Sequence, residues 1–292
     1  MPAAFAKDLC GFRAHGKPNT SDASDQFSVD LGQALFEALG VDPAATGLEP
    51  TGAPFSQRVA DDLQQRIRRA GSPLLVVPEK PLNAFDQYSH VAALKGVSAG
   101  PSKQYQAAWN RLVSFTRKAV PESDKARRTK LEEHLARVSD AAQADANSRR
   151  VLFEQVGEES LLKLDVTAAM PGSGAPTLEV GLSLKWSLRT DRAQDCRSQG
   201  AKMSALRRGR MPHFAAVTME PRPYMLNLLG GGSGEVDCVY HLDLPALTEA
   251  VEAACGDRPP RQAALQTFRR LVAQRRLRDY DELVTYMGSL RQ

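Results

Sequence analysis

Two short alternating runs near the middle of the chain constrain its fold more than any other feature. SLLKLDVTAAM (160–170) and TLEVGLSLKWSLR (177–189) place apolar residues on either side of polar ones, and PGSGAP joins them. Alternation with period two, punctuated by Gly and Pro, is the pattern of neighbouring strands. The segments that follow change period. RAQDCRSQGAKMSALRRG (192–209) reads as a helix and PHFAAVTME (212–220) as a short buried strand ended by Pro221 and Pro223. LLGGGSG (228–234) reads as a loop and EVDCVYHLDL (235–244) as another strand. Strand, strand, helix, strand, strand, with helices around them, is an α/β arrangement.

The remainder reads as largely helical. DQFSVDLGQALFEALG (25–40) and FSQRVADDLQQRIRRAG (55–71) predict helices, the second with Val59, Leu63 and Ile67 on one face. A Pro-rich connector, GSPLLVVPEKPLNAF, follows. Helices are expected at 84–97, 104–120 and 124–156, and in the second of these Tyr105, Trp109, Leu112 and Thr116 form a stripe expected to face a core. Helices at 245–255, about 259–275 and about 279–290 close the chain. No internal repeat is visible.

A chain of 292 residues can bury a substantial core. Its net charge of +4 does not by itself argue for nucleic acid. The distribution says more: between Ser183 and Arg222 nine basic residues stand against three acidic ones. Basic patches attract polyanions. A second basic group, Arg269, Arg270, Arg275, Arg276 and Arg278, reads as a solvated helix face. The four cysteines form no CxxC pair and no zinc pattern. With no apolar run near membrane length and no leader pattern, the expectation is a cytoplasmic protein with reduced thiols and no membrane contact. GGGSG (230–234) lacks both a P-loop lysine and Rossmann spacing. His213 and His241 lie at strand edges and read as structural, and Trp186 reads as core.

The chemistry gathers in the two central strands. Asp165 lies mid-strand in LLKLDVTA, and Lys185 lies on the next strand in LSLKWSL. Such a pair can meet at one end of a sheet. The carboxylate can hold a divalent cation through oxygen, and the lysine can stabilise charge on an attacked phosphate or orient water. The same pair would also serve as a structural ion pair, and spacing alone does not separate the two. Arg189, Asp191 and Arg192 follow at once. Arginine reads guanine O6 and N7 bidentately and aspartate accepts from cytosine N4, so this group can read adjacent G and C bases in a major groove.

SLKWSLRTDRAQDCRSQG, then RRGRMPHFAAVTMEP, then GSGEVDCVYHLDL, resembles the NgoMIV family of type II restriction endonucleases, within the PD-(D/E)XK nuclease superfamily. The match is ordered over roughly 157–245. GEESLLKLDVTA and FDQYSHVAAL (85–94) also look like family segments, and about 100–150 looks like an added helical piece. The resemblance implies a restriction-endonuclease-like mixed central β-sheet flanked by helices. It implies one domain over 1–292, with a helical N-terminal part (1–156) and a catalytic core at about 157–245.

The resemblance also implies roles. Asp165 would bind Mg²⁺, with Leu164 where the family usually has proline. Ser183-x-Lys185 would be the variant of (D/E)xK that lacks its first carboxylate, and the Leu184 carbonyl would be a further metal ligand. The missing carboxylate would come from the following helix, at Gln199. Glutamine is neutral and can ligate only through its carbonyl oxygen or a hydrogen bond to water. Asp195, one helical turn earlier, and Glu179, on the same strand face as Ser183 and Lys185, are the candidate replacements. A further family acid would fall near Ser56 or Gln57, and neither is acidic. Arg189, Asp191 and Arg192 would read CCGG, with GCCGGC as the full site. The expected function is magnesium-dependent hydrolysis of double-stranded DNA in a restriction-modification system, by a homodimer or a homotetramer of two dimers. The absent carboxylates leave open a DNA-binding protein of the same fold with impaired cleavage.

Overall fold

The computed structural model describes residues 3–91, 102–156, 162–232, 234–256 and 259–290. They divide into two compact units, Met1–Tyr88 with Leu162–Gln292, and Ser89–Leu161.

The larger unit is built on a six-stranded mixed sheet whose spatial order follows the chain. Its strands are β1 (Leu75–Pro81), β2 (Lys163–Met170), β3 (Thr177–Lys185), β4 (His213–Thr218), β5 (Cys238–His241) and β6 (Leu277–Asp279). β1, β2 and β3 pair antiparallel, and β3 through β6 pair parallel. The expected hairpin is β2–β3, with Val166 opposite Leu182. β3, β4 and β5 are buried along almost their whole length. β4 and β5 are short apolar runs, as parallel strands covered on both faces are, while β3 keeps the polar Glu179 and Ser183 buried within it.

Helices cover both faces. α1 (Ala4–Leu9), α2 (Gln26–Leu39) and α3 (Gly52–Arg69) precede the sheet. α2 begins at Asp25, which caps it by accepting from the Phe27 amide, and ends at Gly40 in the left-handed region (φ 62°). α3 buries Phe55, Val59, Leu63 and Ile67, and Phe55 packs edge-on against Trp186 at 5.6 Å. Trp186 is therefore core, on the sheet face opposite Lys185. On the Lys185 face, α6 (Thr190–Leu206) runs back along β3. Gly200 lets it approach, since a Cβ there would meet the Glu235 carbonyl oxygen. α7 (Pro223–Gly230), α8 (Leu244–Cys255), α9 (Gln262–Ala273) and α10 (Tyr280–Ser289) complete the unit.

The smaller unit contains α4 (Lys103–Ala119) and α5 (Lys125–Val156), a helical hairpin bridged by a two-bond ion pair from Arg117 to Glu132. The stripe expected to face a core does not. No residue of α4 is buried, and Tyr105 and Leu112 are about half exposed. Two helices alone do not enclose an apolar face.

The structure departs from the sequence expectations at four more places. The Pro-rich connector contains strand β1, because Pro78 and Pro81 lie on an edge strand. β6 is only three residues long and carries no periodic signal. α7 starts on Pro223, where proline is at home in a first helical turn, and runs into the expected glycine loop. The helix expected over 84–97 opens with 3₁₀ turns at Leu82–Ala84 and Asp86–Tyr88, and 92–97 lies outside the described residues.

Candidate active site

Asp165 and Ser183 face each other across β2 and β3, one step beyond the Val166–Leu182 pair. Pairing in the hairpin stops there. The Leu184 amide donates to Asp165 Oδ2 at 2.6 Å instead of to the neighbouring strand. Burial raises the Asp165 pKa; the Leu184 amide and Lys185 oppose it, while Asp195 and Glu79 add to it. The result is a buried carboxylate short of positive charge.

α6 lies over this strand end. Lys185 Nζ donates to Asp195 Oδ2 at 3.2 Å, and Lys185 is more buried than its partner. Cys196, buried behind Ser183, is held as a thiol, its pKa pushed up to about 11 by burial. Further along, Met203 lies against Gly181. Gln199 lies on the same helix between Cys196 and Met203 and is half-buried. Its Oε1 is buried with no hydrogen-bond partner.

A cleft of about 240 Å³ opens at this end of β3, lined by Glu49, Phe55, Ser56, Asp165, Leu184, Lys185, Trp186 and Arg192 among others. Ser56 thus reaches the cleft, while Gln57 bonds to Asp61. Among the described residues no three His, Cys, Asp or Glu side chains converge as a metal cage. The donor set still fits a Mg²⁺ ion. Such ions are commonly held by one or two carboxylates, with water and substrate phosphate completing the shell. Asp165 supplies a carboxylate to the cleft.

Glu179, the other candidate second acid, does not line the cleft. It is four residues from Ser183, about 13 Å at strand rise, and its carboxylate is taken by Arg210. Asp195 is within reach through Lys185. A third carboxylate, which pairs with Lys163 at 2.5 Å, escaped notice in the sequence. Glu79 lies opposite Asp165 in the β1–β2 register, between the Pro78–Val166 and Lys80–Leu164 pairs. It was hidden in a segment read as a connector.

Arg189, Thr190 and Asp191 form the exposed N-terminal corner of α6. Asp191 is in the first turn, where the helix dipole favours a negative charge. Arg192 is differently placed: Glu49 binds its guanidinium and also accepts from Ser187 Oγ. Neither contact has a sequence signal, because Glu49 is distant in the chain and lies in an irregular stretch.

Outside the cleft, His213 bonds to Asp237 at 2.9 Å and Tyr240 at 3.1 Å. His241 is fully buried, its pKa lowered to about 4 by burial. Neither lines the cleft. Four of the five arginines in the second basic group have side-chain partners: Arg269 with Glu252, Arg270 with Asn227, and Arg275 and Arg278 with Glu282.

A mixed sheet with this splayed strand end and an arginine-bearing helix beside it defines a restriction-endonuclease-like protein, and the chain belongs to the NgoMIV restriction enzyme family: residues 133–288 match that family's model. Among individual relatives, the chain is 38% identical over 108 residues to the type II restriction enzyme NgoMIV of Neisseria gonorrhoeae. That alignment covers 37% of this chain and 36% of the relative, so the chain spans little more than a third of the relative it matches.

Proposed function

We propose that the chain is a type II restriction endonuclease that hydrolyses double-stranded DNA at a palindromic CCGG-containing site, GCCGGC in full, with Mg²⁺ as cofactor. One observation carries this reading. Asp165, Ser183 and Lys185 share one end of a strand pair, and the exposed Arg189 and Asp191 begin the helix that leaves it. Cleavage and base reading would then be a few residues apart.

Asp165, with Gln199 Oε1, would hold the cation, which when bound supplies charge neutralisation at the phosphate and acidifies water. Lys185 stabilises the charge that develops on the attacked phosphate and orients the attacking water. The water oxygen bonds to phosphorus as the P–O3′ bond breaks. The proton goes to the 3′ oxygen, leaving 5′-phosphate and 3′-hydroxyl ends. Asp195, by accepting from Lys185 Nζ, holds the ammonium group at the site. Arg189, Asp191 and Arg192 read the inner bases. A palindrome cut on both strands calls for a two-fold dimer, and two dimers can associate further. Residues of about 100–150 would be a helical insertion into one restriction-endonuclease-like domain, and the enzyme would work in the cytoplasm.

The second reading, a sequence-specific DNA-binding protein with impaired cleavage, is favoured by the neutral Gln199. The test incubates the chain with duplexes that contain or lack GCCGGC, in Mg²⁺ or Mn²⁺, beside Lys185→Ala. Cuts at a fixed position in the site, lost in the variant, are expected. Specific binding without a cut in either metal overturns the nuclease reading in favour of the second. No sequence preference in binding or cleavage overturns both.

A further inference from the structure

The segment between the catalytic strand and α6 is anchored by a buried ion pair. Leu188 lies past the end of β3, where no strand pairs with it. Its amide donates to Glu220 Oε2 at 2.6 Å, and its carbonyl accepts from Arg222 Nη2 at 2.6 Å. Arg222 Nε in turn donates to Glu220 Oε1 at 2.6 Å. Both side chains are almost completely buried. Each Glu220 oxygen accepts more than one bond, since the Arg222 amide and Nη2 also donate to it. Burying two charges is costly, and such a pair commonly adds less stability than apolar residues of the same volume. Its distinctive property is geometric: it fixes both polar groups of one peptide residue in one orientation.

We infer that Glu220 is a positioning residue for base recognition: through Arg222 and the two backbone groups of Leu188 it sets the point from which Arg189 and Asp191 project. The next residue after Leu188 is Arg189, the N-cap position of α6. A turn of the Leu188 peptide would swing the Arg189 side chain off a base edge. The same network reaches the N-terminal loop: Arg222 lies 3.6 Å from Asp22 and donates to Tyr224 Oη, which donates to Asp25. Glu220 itself has no exposed atom with which to touch DNA. The inference rests on the proposed recognition role of Arg189.

The test measures kcat and KM on GCCGGC and on the same duplex with one inner base pair replaced, for wild type, Glu220→Gln and Glu220→Asp, with Tm for each. Glu220→Gln should lower the cognate-to-substituted ratio of kcat/KM by about tenfold, the size of one misplaced bidentate contact. Most of the loss should be in KM, and Glu220→Asp should recover part of it. A folded Glu220→Gln with the wild-type ratio overturns the inference and leaves the nuclease reading intact. Where Glu220→Gln does not fold, Arg222→Lys is measured in its place; it keeps the charge pair and loses the bond to the Leu188 carbonyl. An unchanged ratio there, or failure of both variants to fold, marks the pair as structural only and overturns the inference. A wild-type enzyme that does not distinguish the two duplexes overturns the functional reading itself.

Discussion

Asp165 Oδ2 accepts the backbone N–H of Leu184 at 2.6 Å, so the residue just before Lys185 holds the carboxylate that Lys185 faces. The candidate catalytic acid and lysine are thereby tied to one stretch of backbone.

Lys185→Ala should lower cleavage by about 10²–10³-fold, the usual effect of removing one charge-stabilising donor, while DNA binding in Ca²⁺ persists. Asp165→Asn should abolish cleavage and raise the Tm of the metal-free protein. The sign follows from its raised pKa. The ionised form is disfavoured by folding, so a neutral isostere removes a penalty at neutral pH. A lower Tm for Asp165→Asn would contradict that electrostatic picture.

Gln199→Glu should reduce the Mg²⁺ concentration needed for half-maximal cleavage by about tenfold, because ligand charge tunes affinity for hard cations. Glu79→Gln should raise that concentration if Glu79 supplies charge beside Asp165, and Glu179→Gln should leave it where it is. Metal titrations of the cleavage rate distinguish the three.

Arg189→Ala should weaken discrimination at one inner base by about 1–3 kcal/mol. Glu49→Gln acts in the opposite sense on its neighbour. It leaves Arg192 without its anionic partner, so affinity for non-cognate DNA should rise and fall more steeply with salt, by about one phosphate contact. Binding to cognate and scrambled duplexes across a salt series reads both effects.

The His213–Asp237 pair makes stability depend on pH far from the cleft. Burial opposes protonation of His213, but Asp237 and Cys238 outweigh it and lift the pKa from 6.5 to about 9. The folded protein therefore holds this proton more tightly than the unfolded chain. The stabilisation is complete below about pH 6.5 and is lost as pH rises through about 9. Asp237→Asn should flatten the fall of Tm between those values, and a wild-type Tm that does not fall there would refute the assignment.

Much of the strand pair that carries Asp165 and Lys185 was legible in the sequence. Alternation located β2 and β3, the Gly/Pro loop made them a hairpin, and parity put Ser183 and Lys185 on one face with Trp186 on the other. Those features depend on neighbours within a few residues, and local periodicity carries them. β1 was not legible, because an edge strand with two prolines resembles a connector until a partner strand is beside it. The exposed stripe on α4 was misread for a related reason: amphipathic spacing shows that a helix has an apolar face, and only the packed chain shows whether anything covers it.

The chain's own order therefore determined the chemical vocabulary of the site: an acid on one strand, a lysine on the next, two arginines and an aspartate directly after, and a glutamine where a carboxylate was expected. The tertiary structure decided which groups meet. It brought Glu79 opposite Asp165 and gave Glu179 to Arg210. It closed Glu49 on Arg192 and set Glu220 and Arg222 around Leu188 from more than thirty residues away. Contacts between distant residues carry no periodicity, and they form only when the sheet stacks its strands and brings their ends together.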